Sequence, residues 1–174
     1  MTDNESKDNE SKDNGSEETT PAEFDVVREV LESAGLTPQP IKGGLPGYTV
    51  DFMDDGPSVG GVALILAEQA RFVFFLEFLE RGPEASRANV AEFIARVNFA
   101  LGIGNFEMNY ETVEVRFKTG VDYDGDELRP VYVRNAIVAA MDAVEAYADL
   151  LHEVMKGDKS AKEAADEAHA RSEE

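Results

Sequence analysis

Apolar and polar positions change their period several times along the chain, and each change marks an element. Between Pro21 and Gly35, the residues Phe24, Val27, Leu31 and Ala34 recur at helical spacing. Thr20 as N-cap, Pro21 at the first helical position and Glu23 three residues after the cap make a start signal, and Gly35 makes a stop. "LTPQPIKGGLPG" follows as a Pro/Gly-rich loop. In "YTVDF", Tyr48, Val50 and Phe52 alternate with polar residues, the pattern of a half-buried strand. "DDGPS" has turn chemistry, and "VALILA" and "RFVFFLEFLE" are then apolar on both faces. Phe72, Phe74, Leu76 and Phe78 share one face of the latter. The other carries Val73, Phe75 and Leu79, to which Ala63, Ile65 and Ala67 of the preceding strand are assigned. A strand apolar on both faces needs cover on both sides.

A second helix is predicted within 84–101, with Val90, Ile94, Val97 and Leu101 as its stripe and Gly102 as its end. "NFEMNY" and "VEVRFKT" then alternate cleanly and predict an antiparallel hairpin with one wet face. Pro130 opens a third helix, in which Val133, Ile137, Ala140, Val144, Tyr147, Leu151 and Val154 form a heptad-like seam. Such a seam serves either a core or self-association. The order α-β-β-β-α-β-β-α, with short turns between strands, predicts a single α+β domain over residues 20–156, its mainly antiparallel sheet packed by helices.

The ends differ from this middle. Residues 1–19 repeat "DNESK" and carry seven acids against two lysines, without an apolar residue after Met1, so a disordered acidic tail is expected. Residues 157–174 are Ala-rich and acidic and are expected to be a disordered or frayed-helical tail.

Composition narrows the chemistry. The 174 residues contain no cysteine, which excludes thiol catalysis, cysteine-ligated zinc and disulfides and fits a reducing, cytoplasmic location. The formal net charge of −20 disfavours nucleic acids and anionic membranes as partners. The first residues have neither a basic region nor an apolar run and do not read as a secretory signal. The apolar run "GVALILA" is far shorter than the ~20 residues that span a bilayer.

Three stretches suggest a site and weaken on inspection. "VDYDGDELRP" sets Asp122, Asp124 and Asp126 on alternate positions, as a calcium loop begins. Its glycine, Gly125, comes one place early, however, and Val133 stands where a bidentate acid is required. An acidic link leading to a helix N-terminus is the alternative. "GPSVG" matches the string of a hydrolase elbow, and Ser58, Asp142 and His152 follow the order of that class, but the alternating βα pattern is missing. The two histidines, His152 and His169, belong to no zinc-ligand group. No cofactor is implied.

"GNFEMNYETVEVRFKTGVDYDGDELRPVYVRNAI" resembles the YbjN family of bacterial proteins. The matching pieces are Asn98, "GNFE" at 104–107, "EVRFKT" at 114–119, "GDEL" at 125–128 and the helix after it. The likeness runs from about Phe24 to Gly157 and is sharpest from Asn98 to Leu151. It implies a type III secretion chaperone-like fold and a role in sensory-transduction regulation, with no catalytic residues to carry over. The family often has glycine at the hairpin tip, where this chain has Val113. Because valine resists positive φ, a longer or shifted loop is expected there. The combined expectation is a non-enzymatic domain that binds a protein or peptide, as a homodimer, through an apolar sheet surface of Ile65, Val73, Phe75 and Leu79. The rival expectation is a calcium- or metal-responsive acidic protein, or a serine hydrolase.

Overall fold

The computed structural model describes residues 21–52 and 59–172. The acidic repeat tail, Thr20 and Ser58 lie outside the described residues. In chain order the elements are α1 (Ala22–Ser33), β1 (Gln39–Pro40), β2 (Gly47–Asp51), β3 (Val59–Leu66), β4 (Arg71–Phe78), α2 (Arg87–Ala100), β5 (Asn105–Asn109), β6 (Glu114–Asp122), α3 (Pro130–Lys156) and α4 (Ala161–Ser172). The strands form one antiparallel sheet in the order β1-β2-β3-β4-β6-β5. The expected α+β order is present, with a two-residue edge strand and a fourth helix added.

The helices lie on one face of the sheet. That face carries Tyr48, Ala63, Ile65, Phe72, Phe74, Leu76, Val115 and Phe117, all buried. Phe24 of α1 meets the Tyr48 ring edge-on at 6.1 Å, and Tyr147 of α3 meets Phe106 at 5.9 Å. Thr119, buried on the same face, donates its hydroxyl to the Ala136 carbonyl of α3 at 2.9 Å, so its polar atom is satisfied inside the core. The heptad-like seam of α3 is spent on this core, where Val133, Ile137, Ala140, Val144, Leu151 and Val154 are all buried. Pro130 takes the first turn of α3, where its missing N–H is no loss, and Gly157 ends the helix at φ 80°.

Two departures have clear physical reasons. Residues 161–172 form a helix packed on α2 and α3, where the sequence leads one to expect a disordered or frayed-helical tail. Its buried face consists of Ala161, Ala164 and Ala168, and a stripe of alanines is too weakly apolar to register as a periodic signal. The β5–β6 loop spans Tyr110–Val113, longer than a two-residue turn as the sequence leads one to expect, but Val113 itself takes the positive φ, at 56°. Its side chain is 1% exposed, packed so that its Cγ1 lies 2.7 Å from the place a Cβ on Gly82 would occupy, and this burial offsets the backbone strain.

Candidate functional site

Strand pairing decides which side chains share the open face. In β3 and β4, Val62 pairs with Phe75 and Leu64 with Val73, whereas Ala63 pairs with Phe74 and Ile65 with Phe72. Paired residues point to the same side of a sheet. The face away from the helices therefore carries Val62, Leu64, Leu66, Val73 and Phe75. Leu79 continues that row beyond the end of β4, where its Cδ2 lies 3.7 Å from the place a Cβ on Gly60 would occupy. Ile65, expected on this surface, is a core residue at 1% exposure, and Ala63 goes with it. The error has a simple origin. "VALILA" is apolar at every position, so its phase cannot be read from alternation, and a slip of one residue exchanges the faces.

The remaining site residues differ in accessibility. Val73 is half-buried and Leu79 is 68% exposed. Phe75 is only 8% exposed because the Arg116 guanidinium lies over its ring, 4.1 Å from the centroid. Arg116 is held there by Glu107 of β5 at 2.8 Å, and Lys118 donates to the other oxygen of the same carboxylate. Burial pushes the Glu107 carboxyl up, but the hydrogen bonds from Lys118 and Arg116 outweigh it and hold the group below the ordinary glutamate range. The face thus has two halves. An apolar strip on β3–β4 borders a charged strip on β6–β5, and Arg116 roofs the boundary.

The acidic stretch at the end of β6 is a turn in which the carboxylates of Asp122 and Asp126 are engaged. Asp122 accepts the Asp124 N–H at 3.1 Å and pairs with Arg71 across the strands at 3.3 Å. Both interactions, the backbone bond first, hold its pKa below the usual aspartate value. Asp126 accepts from the Glu127 N–H at 2.9 Å, from Arg129 at 2.8 Å and from the Tyr132 hydroxyl at 3.0 Å. Val133, at the position where a calcium loop needs its last ligand, is fully buried in the core. Among the described residues no group of three or more His, Asp or Glu side chains could hold a metal ion.

The hydrolase order does not assemble around its histidine. Asp142 and His152 lie on one helix ten residues apart, about 15 Å along its axis. His152 instead faces Glu80 at 3.2 Å.

No family model matches this chain, and no curated protein matches it. A chain in the crystal structure of the ExsC–ExsE complex has the same fold, with a TM-score of 0.51 and 17% sequence identity. The match covers 76% of this chain and 96% of that one. The likeness shows the α+β, type III secretion chaperone-like fold expected from the sequence, and at this identity it shows the fold alone. No helix among the described residues is long and apolar enough to cross a membrane.

Sequence reasoning missed Val62 and Leu64 as surface residues, and missed Phe99 altogether. Phe99 is 96% exposed at the end of α2, outside the stripe predicted for that helix. Its position off the Val90–Ile94–Val97 stripe was the available signal.

Proposed function

We propose that this chain is a non-enzymatic, protein-binding domain, chaperone-like or a regulatory adaptor, that takes a protein or peptide partner on the open sheet face. One observation carries the reading. The helices cover one face of the sheet, while the other presents Val62, Leu64, Val73 and Leu79 in a continuous strip without a helix over it among the described residues. Contiguous apolar surface of this kind marks interaction sites. The acids Asp51 and Glu77 on the same face would disfavour wrongly charged partners.

Two further points support the reading. The protein that shares this fold was crystallised in a two-protein complex. The residues from Asn98 to Leu151 resemble the YbjN family, whose members are regarded as candidate regulators of sensory transduction. The proposal therefore extends to a YbjN-like regulator that works in the cytosol as a homodimer.

The test is a photo-crosslinking residue placed at Leu64 and, as control, at Val138 on the outer side of α3. Capture of a defined partner from Leu64 alone, lost in Leu79→Glu protein that keeps its circular dichroism, is the expected result. Equal capture from both positions, or undiminished capture with Leu79→Glu, sinks the assignment.

A further inference from the structure

The strand registers arrange the open face in rows that run across the sheet. One row reads Asp51–Gly60–Glu77–Arg116, from β2 through β3 and β4 to β6. The next reads Thr49–Val62–Phe75–Lys118, and the third Gly47–Leu64–Val73–Gly120. The apolar residues of these rows sit on β3 and β4, the two middle strands of the sheet. The line between β3 and β4 therefore divides both the sheet and its apolar strip into halves.

The two halves complement each other. A two-fold axis along that line lays a second copy face to face on the first, exchanges β3 with β4 and β2 with β6, and keeps every row. Val62 then lies over Phe75 of the second copy, and Leu64 over Val73. Gly47 lies over Gly120, so the third row closes on its apolar residues with no side chain at either end. Glu77 lies over Gly60, which adds no side chain of its own. Asp51 lies over Arg116. Asp51 is exposed, and no ion pair among the described residues engages it. Glu107 takes Nε and Nη2 of Arg116, which leaves Nη1 for an acid from above. Aligned sheets cross at about 30°, which offsets residues on β2 and β6, about 7 Å from the axis, by about 4 Å, a step that an arginine side chain spans. A two-fold across the strands fits worse, because it lays Lys118 over Gly120 and carries Asp51 past the end of β2.

We infer that the resting occupant of the open face is a second copy of this chain, packed sheet to sheet about the β3–β4 line, an inference that rests on the reading above for the face being a docking surface. The homodimer keeps the apolar strip closed. A partner that takes the strip must first part the two copies, so self-association and partner binding exclude each other.

The experiment uses the purified full chain, which has no cysteine of its own. Thr49→Cys and Lys118→Cys chains are treated with a short bismaleimide, each alone and mixed. The mixture is expected to crosslink into dimers several-fold more than either chain alone, because the two-fold brings Thr49 of one copy to Lys118 of the other and holds like positions apart. In sedimentation equilibrium, Asp51→Lys is expected to weaken dimerisation roughly tenfold. Crosslinking no greater in the mixture than in the single chains overturns the inference, as does a dimer indifferent to Asp51→Lys. A chain that stays monomeric at about 100 μM, while a photo-crosslinker at Leu64 still captures a partner, overturns this inference and leaves the proposed function standing. A dimeric chain whose Leu64 position captures only its own copy from a lysate overturns the proposed function and supports the dimer.

Discussion

Asn98, in the last turn of α2, pairs with both backbone groups of Phe106 on the edge strand β5. Its Oδ1 accepts the Phe106 N–H at 2.8 Å and its Nδ2 donates to the Phe106 carbonyl at 2.9 Å. A side-chain amide here completes the ladder that an edge strand lacks, so two backbone groups of a residue only 2% exposed are satisfied. It also denies those groups to another chain. Asn98→Ala is therefore expected to cost about 1–3 kcal/mol, the penalty of leaving the buried Phe106 N–H unpaired, while the carbonyl keeps the Asn105 side-chain amide at 3.3 Å. It should also promote concentration-dependent association. Urea unfolding measures the first effect and light scattering the second; unchanged stability would remove the role assigned to Asn98.

Val113 adopts a left-handed backbone conformation, which costs a β-branched residue about 1–2 kcal/mol, while its side chain is almost fully buried. Burying a valine contributes about 1.5–3 kcal/mol, so packing outweighs strain. Val113→Gly should relieve the backbone yet still destabilise the fold, by about 1 kcal/mol. A stabilised Val113→Gly protein in denaturant would show that strain dominates. Gly82→Ala tests the same contact from the other side. A Cβ there would lie 2.7 Å from Val113 Cγ1 and 2.9 Å from Ser86 Oγ, so a clear loss of stability is expected.

Glu107 holds Arg116 over Phe75. Its folded-state pKa lies below the unfolded value, so its pairing stabilises the fold above the unfolded pKa, near 4.5. That contribution is lost as the pH falls through the folded pKa. Glu107→Gln should lower stability at neutral pH and have progressively less effect as the pH falls below 4.5. Unfolding midpoints of both proteins across that acid range check the sign, and a constant difference at all pH values would contradict it.

Leu79 and Phe75 lie in one row on one face but should respond differently. Leu79→Ala removes a side chain that is 68% exposed and should change stability within about 0.5 kcal/mol. Phe75→Ala should cost about 3 kcal/mol, the low end for a buried phenylalanine, since part of its cover is the Arg116 side chain, itself 43% exposed. Thermal unfolding of the two variants distinguishes an open docking residue from a roofed one.

The sequence by itself determined most of the elements and the class. Period-2 alternation in "NFEMNY" and "VEVRFKT" placed β5 and β6 and told their wet side from their dry side, because each has one solvated face. The heptad-like run after Pro130 placed α3 and its buried stripe, because a helix of this length repeats its signal many times. The tertiary structure decided what these signals leave open. Only pairing with β4 sets the phase of "VALILA", since an all-apolar strand carries no alternation, and this moved Ile65 into the core and brought Val62 and Leu64 to the surface. Only docking on α2 and α3 gives the alanines of 161–168 a buried face, because a methyl side chain is too weakly apolar to announce burial in one dimension. The cover that Arg116 lays over Phe75 likewise joins β4 to β6 across forty-one positions of sequence, a contact that no local period encodes.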